Sequence, residues 1–213
     1  MADGNGSDGR ERYHHGNLRE ALIEAALALI AERGLAGFAL AELARAVGVS
    51  TGAPYRHFRD RDSVIAEVAR RGFDDLKANL ERASELSGAG PVRVLERCAQ
   101  AHLAFASRKP AMYSAMFEPT FPAGAHPDLS MARDAAFAVI RQCAQAACDR
   151  SLAPGRPPPL MVALHVWSLT HGIAGLFVSR DGEARGRLPM SPEQLLESGL
   201  LVYLHSLELP SEP

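Results

Sequence analysis

Between Gly48 and Phe58 the chain reads Gly-Val-Ser-Thr-Gly-Ala-Pro-Tyr-Arg-His-Phe, small residues followed by hydrogen-bond donors and closed by an aromatic ring. The short side chains of Ser50, Thr51, Gly52 and Ala53 let a backbone come close to a double helix. Arg56 and His57 can donate to base edges or phosphates, and Tyr55 offers a hydroxyl to phosphate. Phe58 has no such use and anchors the far end in a core. Over 51–61, Arg56, Arg59 and Arg61 stand against Asp60 alone, a basic spot on a chain whose formal net charge is -2. Neutralising phosphate along a whole surface needs a large Lys/Arg excess, so any nucleic-acid contact here is local.

The other residues capable of chemistry are histidines and cysteines. His165 and His171 are six apart, about 120° from a common helix face, which argues against shared metal coordination. Cys98 and His102 are four apart and do share a face, the one arrangement that could make a nucleophile and base. No third orienting group accompanies them, so a packed pair is the better reading, with a small-molecule-acting enzyme or carrier as the alternative. Cys98, Cys143 and Cys148 are an odd set without C-x-x-C spacing, which signals neither a disulfide framework nor a zinc site and suits a reducing cytoplasm. No catalytic residue, metal or cofactor site is read. The first 16 residues lack an apolar core of a signal peptide, and no apolar run is read as spanning a bilayer.

The elements that position the Gly48–Phe58 segment follow from apolar periodicity. Leu18, Leu22, Ala25, Ala26, Leu29 and Ile30 predict a first helix, with Asn17 and Glu20 as a capping pair and Gly34 as the stop. Leu40, Leu43, Ala44 and Val47 predict a two-turn helix halting at Gly48, and Ser50–Phe58 a third short helix capped by Ser50 or Thr51. A longer helix begins after Asp60 and carries Val64, Ile65, Val68, Phe73, Leu76 and Leu80. Two short helices joined by Gly48-Val49-Ser50 have the proportions of a helix-turn-helix, in which the first braces the second in the major groove.

Residues 87–91 break the chain; helices are expected over 92–107 and 111–117, then a loop to Pro127, a long helix over 129–150 and a proline-rich linker at 153–159. Residues 160–179 are apolar on nearly all sides, which predicts burial on nearly all sides, and Ser191-Pro192-Glu193-Gln194 opens a final helix to about Leu207. The chain of 213 residues, 47% hydrophobic and 23% charged, is therefore expected to be all-α with about nine helices. It divides into a disordered arm at 1–12, a helix-turn-helix domain at 13–62 and a larger helical bundle at 63–213. The helices at 160–179 and 191–207 carry surplus apolar area, including Leu195, Leu200, Val202 and Tyr203, which predicts a homodimer interface there.

Gly48-Val-Ser-Thr-Gly-Ala-Pro-Tyr55-Arg-His-Phe58, with its flanking helices, closely resembles TetR-family repressors. The opening Tyr13-His-His-Gly-Asn-Leu-Arg19 looks like one subgroup of that family, and Trp167-Ser-Leu-Thr-His171-Gly172 resembles a signature of its ligand domains. The resemblance implies a ligand-responsive regulator, a repressor above all, that binds operator double-stranded DNA as a homodimer. It puts Ser50, Thr51, Gly52, Ala53, Tyr55, Arg56 and His57 at the operator and Arg61 in place of a phosphate-binding lysine. It further implies an unidentified small-molecule effector in the C-terminal domain, for which Phe105, Met112, Tyr113, Met116, Phe117, Trp167 and His171 are suitable walls. Two departures stand out. Pro54 replaces an aliphatic residue and removes an amide donor, which favours Thr51 as the cap, and Ala39 occupies the usual Ser/Thr cap of the second helix.

Overall fold

The computed structural model describes residues 8–85, 90–150, 157–178 and 189–208. Among these are eight α-helices and one 3-10 turn: α1 Asp8–Arg33, α2 Leu40–Ala46, the 3-10 turn Pro54–Arg56, α3 Arg61–Glu85, α4 Pro91–Arg108, α5 Pro110–Phe117, α6 Pro127–Arg150, α7 Pro159–Val178 and α8 Pro192–Glu208. No strand occurs among the described residues, so the all-α expectation holds. Residues 1–7 of the expected arm, most of the two linkers and the segment 179–188 lie outside the described residues.

Helix boundaries follow local chemistry. Gly34 ends α1 at a φ of 81°, its N–H donating to the Ile30 carbonyl at 2.9 Å. The α1 start differs from expectation: the helix begins at Asp8, so residues 8–12 are helical and Asn17 lies inside the helix rather than capping it. Once a helix is nucleated, each further residue adds one hydrogen bond, and a polar segment without Pro can simply extend it. At α3 the cap is reciprocal, since the Ser63 N–H donates to Asp60 Oδ1 at 2.8 Å and the Asp60 N–H to Ser63 Oγ at 3.1 Å. Ser191 and Gln194 make the same exchange at α8, at 3.2 and 2.9 Å. The helices α4 to α8 all open on proline, whose fixed φ suits a first turn that needs no amide donor.

The chain packs as two units. The first runs through Gly72 and takes in 111–129; the second comprises 73–110 and the chain from Ser130 onward. Val64, Ile65 and Val68, on the first turns of α3 just beyond the expected boundary at 62/63, are buried in the core with Leu22, Leu43 and Phe58. In the second unit α4, α7 and α8 pack on one another, burying Leu95, Leu103, Val162, Val166, Leu196 and Leu200.

The expectation for α7 needs correcting twice. Its segment Pro159–Phe177 is long and apolar enough to cross a membrane, although no such run was read from the sequence. Nor is it buried all round: Val162, Ala163, Val166, Ile173 and Ala174 are covered, while Leu160, Met161, Leu164 and Leu176 are about half exposed. One helix face can meet only the elements packed beside it, and α4 and α8 cover one side.

Candidate nucleic-acid interface

The turn after α2 is built by backbone. Val49 donates to the Ala44 carbonyl at 2.9 Å and Gly48 to that of Arg45 at 3.2 Å, the paired bonds of a Schellman stop. Gly48 sits at a φ of 72° with open space where a Cβ would be, so it is the left-handed backbone and not crowding that requires glycine. Ahead of α2, Ala39 makes no side-chain cap bond, but its N–H still donates to Glu42 Oε2 at 2.9 Å. The return half of a capping box thus survives the missing hydroxyl.

The expected recognition helix is shorter than the sequence suggested. Only Pro54–Arg56 is helical, as a 3-10 turn, and its cap is Ala53 without a side-chain bond rather than Ser50 or Thr51. Pro54 has no N–H to give the Ser50 carbonyl, which accepts instead from Ala53 at 3.0 Å. The next bonds run from Arg56 to the Ala53 carbonyl at 3.2 Å and from His57 to that of Pro54 at 2.9 Å.

This tight turn orders the surface. Pro54 and Phe58 are buried, while Ser50, Thr51, Gly52, Arg56 and Arg59 are exposed and Ala53 and His57 are half-buried. Tyr55, an aromatic residue, is 59% exposed. Arg61 turns toward its own chain. Its Nη2 donates to the Leu35 carbonyl, and its guanidinium stands 5.5 Å from the centre of the Phe38 ring, so it ties the start of α3 to the loop before α2.

Behind the exposed segment lies an ion network. Glu67 on α3 accepts from Arg19 of α1, from Arg70 and from Arg71, each at 2.9 Å. Arg71 also reaches back to Glu20 at 2.7 Å. Burial alone would raise the Glu67 carboxyl, but the three guanidiniums outweigh it and hold it far below the ordinary carboxylate range. The Arg19 guanidinium also lies over the Phe58 ring at 5.3 Å, so the network clamps the end of the reading segment between α1 and α3. This clamp was not legible in the sequence as a whole. Its only readable part is the helical spacing of Glu67, Arg70 and Arg71; Arg19 and Glu20 are about fifty residues away.

The seven residues read as effector walls are divided between the two units. Met112, Tyr113, Met116 and Phe117 belong to the first unit, and Phe105, Trp167 and His171 to the second. In the first, Tyr113 and Phe117 stack with centroids 4.6 Å apart, and a Cβ at Gly72 would meet Met116 Sδ at 2.5 Å. In the second, Trp167 stands between His102, at 4.6 Å, and Phe137, at 5.5 Å and edge-on. Burial, followed by nearby His171, pushes the His102 imidazole down to about 3, so it is neutral near pH 7. His102 and Phe137 were not among the expected walls. Phe105 instead floors a groove of about 350 Å³ with Asp75, Asn79, Arg82, Arg108 and Lys109.

Cys98 and His102 are poorly set for catalysis. The Cys98 thiol donates to the Leu80 carbonyl at 3.7 Å and lies 3.8 Å from Cys143 Sγ; that sulfur contact and burial raise its pKa. A thiol so raised cannot pass its proton to an imidazole that titrates near 3. Among the described residues no group of three or more His, Cys, Asp or Glu could hold a metal ion. His165 Nδ1 is 2.8 Å from the Tyr203 hydroxyl, a contact between α7 and α8.

Of the residues expected at a dimer interface, Leu200 is only 2% exposed and belongs to the core of its own unit, as do Leu196 and Leu204. Leu195 and Tyr203 are half-buried. Val202, at 80% exposure, does face outward, and so does Leu201 at 63%, which the sequence analysis did not single out. The last helix shows several apolar residues, and periodicity alone did not say which of its stripes the bundle covers.

Comparison with known proteins agrees with this arrangement. Residues 22–68 match the description "Bacterial regulatory proteins, tetR family", and residues 95–203, half of the chain, match "Tetracyclin repressor-like, C-terminal domain". The transcriptional repressor KstR2 of Rhodococcus jostii is 38% identical over 58 residues, 27% of this chain and 28% of that protein. The regulator AcrR of Shigella flexneri is 36% identical over 50 residues, 24% of this chain and 23% of its own length. The chain thus matches about a quarter of these curated relatives. A solved protein of unknown function from Rhodococcus sp. RHA1 is similar throughout, with a TM-score of 0.78, 28% identity and coverage of 92% and 98% of the two chains. With both its segments matched and its fold shared, the chain belongs to the tetR family of bacterial regulatory proteins.

Proposed function

We propose that this chain is a cytoplasmic, ligand-responsive transcriptional repressor that binds operator DNA as a homodimer and releases it when a small molecule enters its C-terminal domain. The observation that carries the reading is the exposed segment Ser50–Arg56, held by a Schellman turn on one side and by buried Pro54 and Phe58 on the other. Its small residues bring backbone to the duplex, Tyr55 and Arg56 supply donors, and exposed Arg59 adds charge where phosphate would pass. Arg61 has a structural part here, as the link to Leu35, rather than the part of a phosphate ligand.

A second copy supplies the symmetry. Leu160, Met161, Leu164, Leu176, Leu201 and Val202 leave α7 and α8 with exposed apolar area, and two copies meeting there form a four-helix contact that buries it. Such a dimer sets two reading segments about one DNA turn, ~34 Å, or a multiple apart, so a few ångströms of displacement prevent simultaneous docking. The Trp167, His102, Phe137 and His171 cluster is the part of the second unit we assign to the effector. It is aromatic with neutral polar tips, suited to an apolar ligand with one or two hydrogen-bonding groups. The single helix α3, running from Arg61 to Glu85, joins the reading unit to the second unit and transmits the change.

Fluorescence anisotropy with labelled duplexes from the DNA upstream of the gene tests this. Saturable binding that weakens steeply with salt and discriminates against scrambled duplexes is the expected result. Equal affinity for scrambled DNA would overturn the repressor reading.

A further inference from the structure

Cys98 on α4 and Cys143 on α6 are separated by 45 residues in sequence, yet their sulfurs lie 3.8 Å apart within the second unit, the Cys98 thiol also reaching the Leu80 carbonyl. None of the three cysteines is in a disulfide, and all three are buried. The third, Cys148, is five residues beyond Cys143 on α6, about 140° round the helix, and its sulfur turns to the Pro157 carbonyl at 3.9 Å. Only one pair of thiols is therefore set against each other.

We propose that Cys98 and Cys143 form a redox modification site, oxidised by a peroxide to an intramolecular disulfide that ties α4 to α6. A disulfide needs the sulfurs at about 2.05 Å. The approach still required is thus about 1.8 Å from the observed 3.8 Å, shared between two side chains and the two helices that carry them. The chain cannot make this bond without an oxidant, and hydrogen peroxide is a small two-electron oxidant suited to a covered thiol.

The two cysteines differ in role. Cys143 is 7% exposed and Cys98 fully covered, so peroxide meets Cys143 first. The sulfur contact with Cys98 favours the Cys143 thiolate and lowers its pKa. In the first step the Cys143 thiolate attacks one peroxide oxygen. The O–O bond breaks, hydroxide leaves and combines with the proton Cys143 gave up, and a sulfenic acid remains. In the second step Cys98 attacks the sulfenic sulfur. The S–S bond forms as the S–O bond breaks, and hydroxide leaves with the Cys98 proton as a second water. Each sulfur gives one electron and the peroxide takes two. The product fixes α4, which packs on α7 and α8, to α6 and so restrains the second unit.

The test uses the full reduced chain in native buffer, treated with a small excess of hydrogen peroxide, quenched with an alkylating agent and analysed by intact mass and peptide mapping. Before the quench the expected product is about 2 Da lighter than the reduced chain; after it, the chain carries a Cys98–Cys143 linked peptide with Cys148 alkylated, and the link reverts with dithiothreitol. The link should be lost in Cys98→Ala and Cys143→Ala and kept in Cys148→Ala, each variant first checked for its far-UV helical signal. Where an alanine variant fails to fold, the peptide map of the wild-type chain decides on its own. Unreacted thiols, Cys143 carried to sulfinic acid without a link, a dominant link through Cys148 or between chains, or a 98–143 link that forms only in urea would each overturn the proposal.

Discussion

Tyr55 and Arg56 project from a turn whose neighbours, Pro54 and Phe58, are buried, so removing either exposed side chain deletes a contact to DNA without opening a cavity. We expect Tyr55→Ala and Arg56→Ala each to weaken operator binding by about fivefold to 150-fold, as a lost contact of about 1–3 kcal/mol implies, while the urea midpoint stays put. Unchanged anisotropy titrations for both would place the reading surface elsewhere. Arg61→Ala should behave in the opposite way. It loses the bond to Leu35 and the Phe38 stacking, so its urea midpoint falls while the salt slope of DNA binding is retained; a slope reduced by about one unit would make Arg61 a phosphate ligand after all.

Glu67 gives a pH dependence with a definite sign. Its folded pKa lies below the unfolded value of about 4.3, so the folded state binds fewer protons and gains stability as pH rises. That contribution is fully present above about pH 5 and is lost as pH falls through 4 and beyond. The gap in urea midpoint between wild type and Glu67→Gln should therefore be widest near neutrality and shrink on acidification. A gap that widened in acid would remove the three-arginine account.

At the scale of elements, caps and breakers decide more than propensity does. The Asp60 and Ser63 exchange caps the start of α3, and Asp60→Ala should destabilise the fold by about 1 kcal/mol, with amide exchange accelerated first in residues 61–64. Exchange that speeds up uniformly across the chain would mean the cap acts on global stability alone. Gly48→Ala places a side chain on a backbone at φ 72° and should cost roughly 1–2 kcal/mol, although the space for a methyl group is open. Pro54 acts in the other direction, truncating a segment whose residues otherwise suit a full helix into a single 3-10 turn.

For the whole molecule, the contrast between neighbouring residues of α8 provides the test of assembly. Leu201 and Val202 are exposed and Leu200 is covered. The double substitution Leu201→Glu with Val202→Glu should yield a folded monomer with weakened operator affinity, seen by sedimentation with an intact helical signal. Leu200→Glu should instead unfold the second unit, because it buries a charge in an apolar core. A folded, undiminished dimer for the double variant would move the interface off α8.

The sequence by itself determined the helices and the reading segment. Apolar stripes at helical spacing, glycines at Gly34 and Gly48, an aspartate at 60 and prolines at five helix starts are local signals, and local backbone chemistry obeys them. It also determined which residues of that segment are small, polar or aromatic, and hence the chemistry they offer to DNA. Only the tertiary structure decided which stripe of α7 and α8 is covered, because both helices carry apolar residues on more than one side and the choice belongs to their neighbours. The Glu67 clamp, the facing of Cys98 by Cys143 and the division of the expected effector walls between two units were closed to the sequence for the same reason. The clamp and the cysteine pair depend on residues brought together by packing over forty or more positions, and no local pattern encodes that distance.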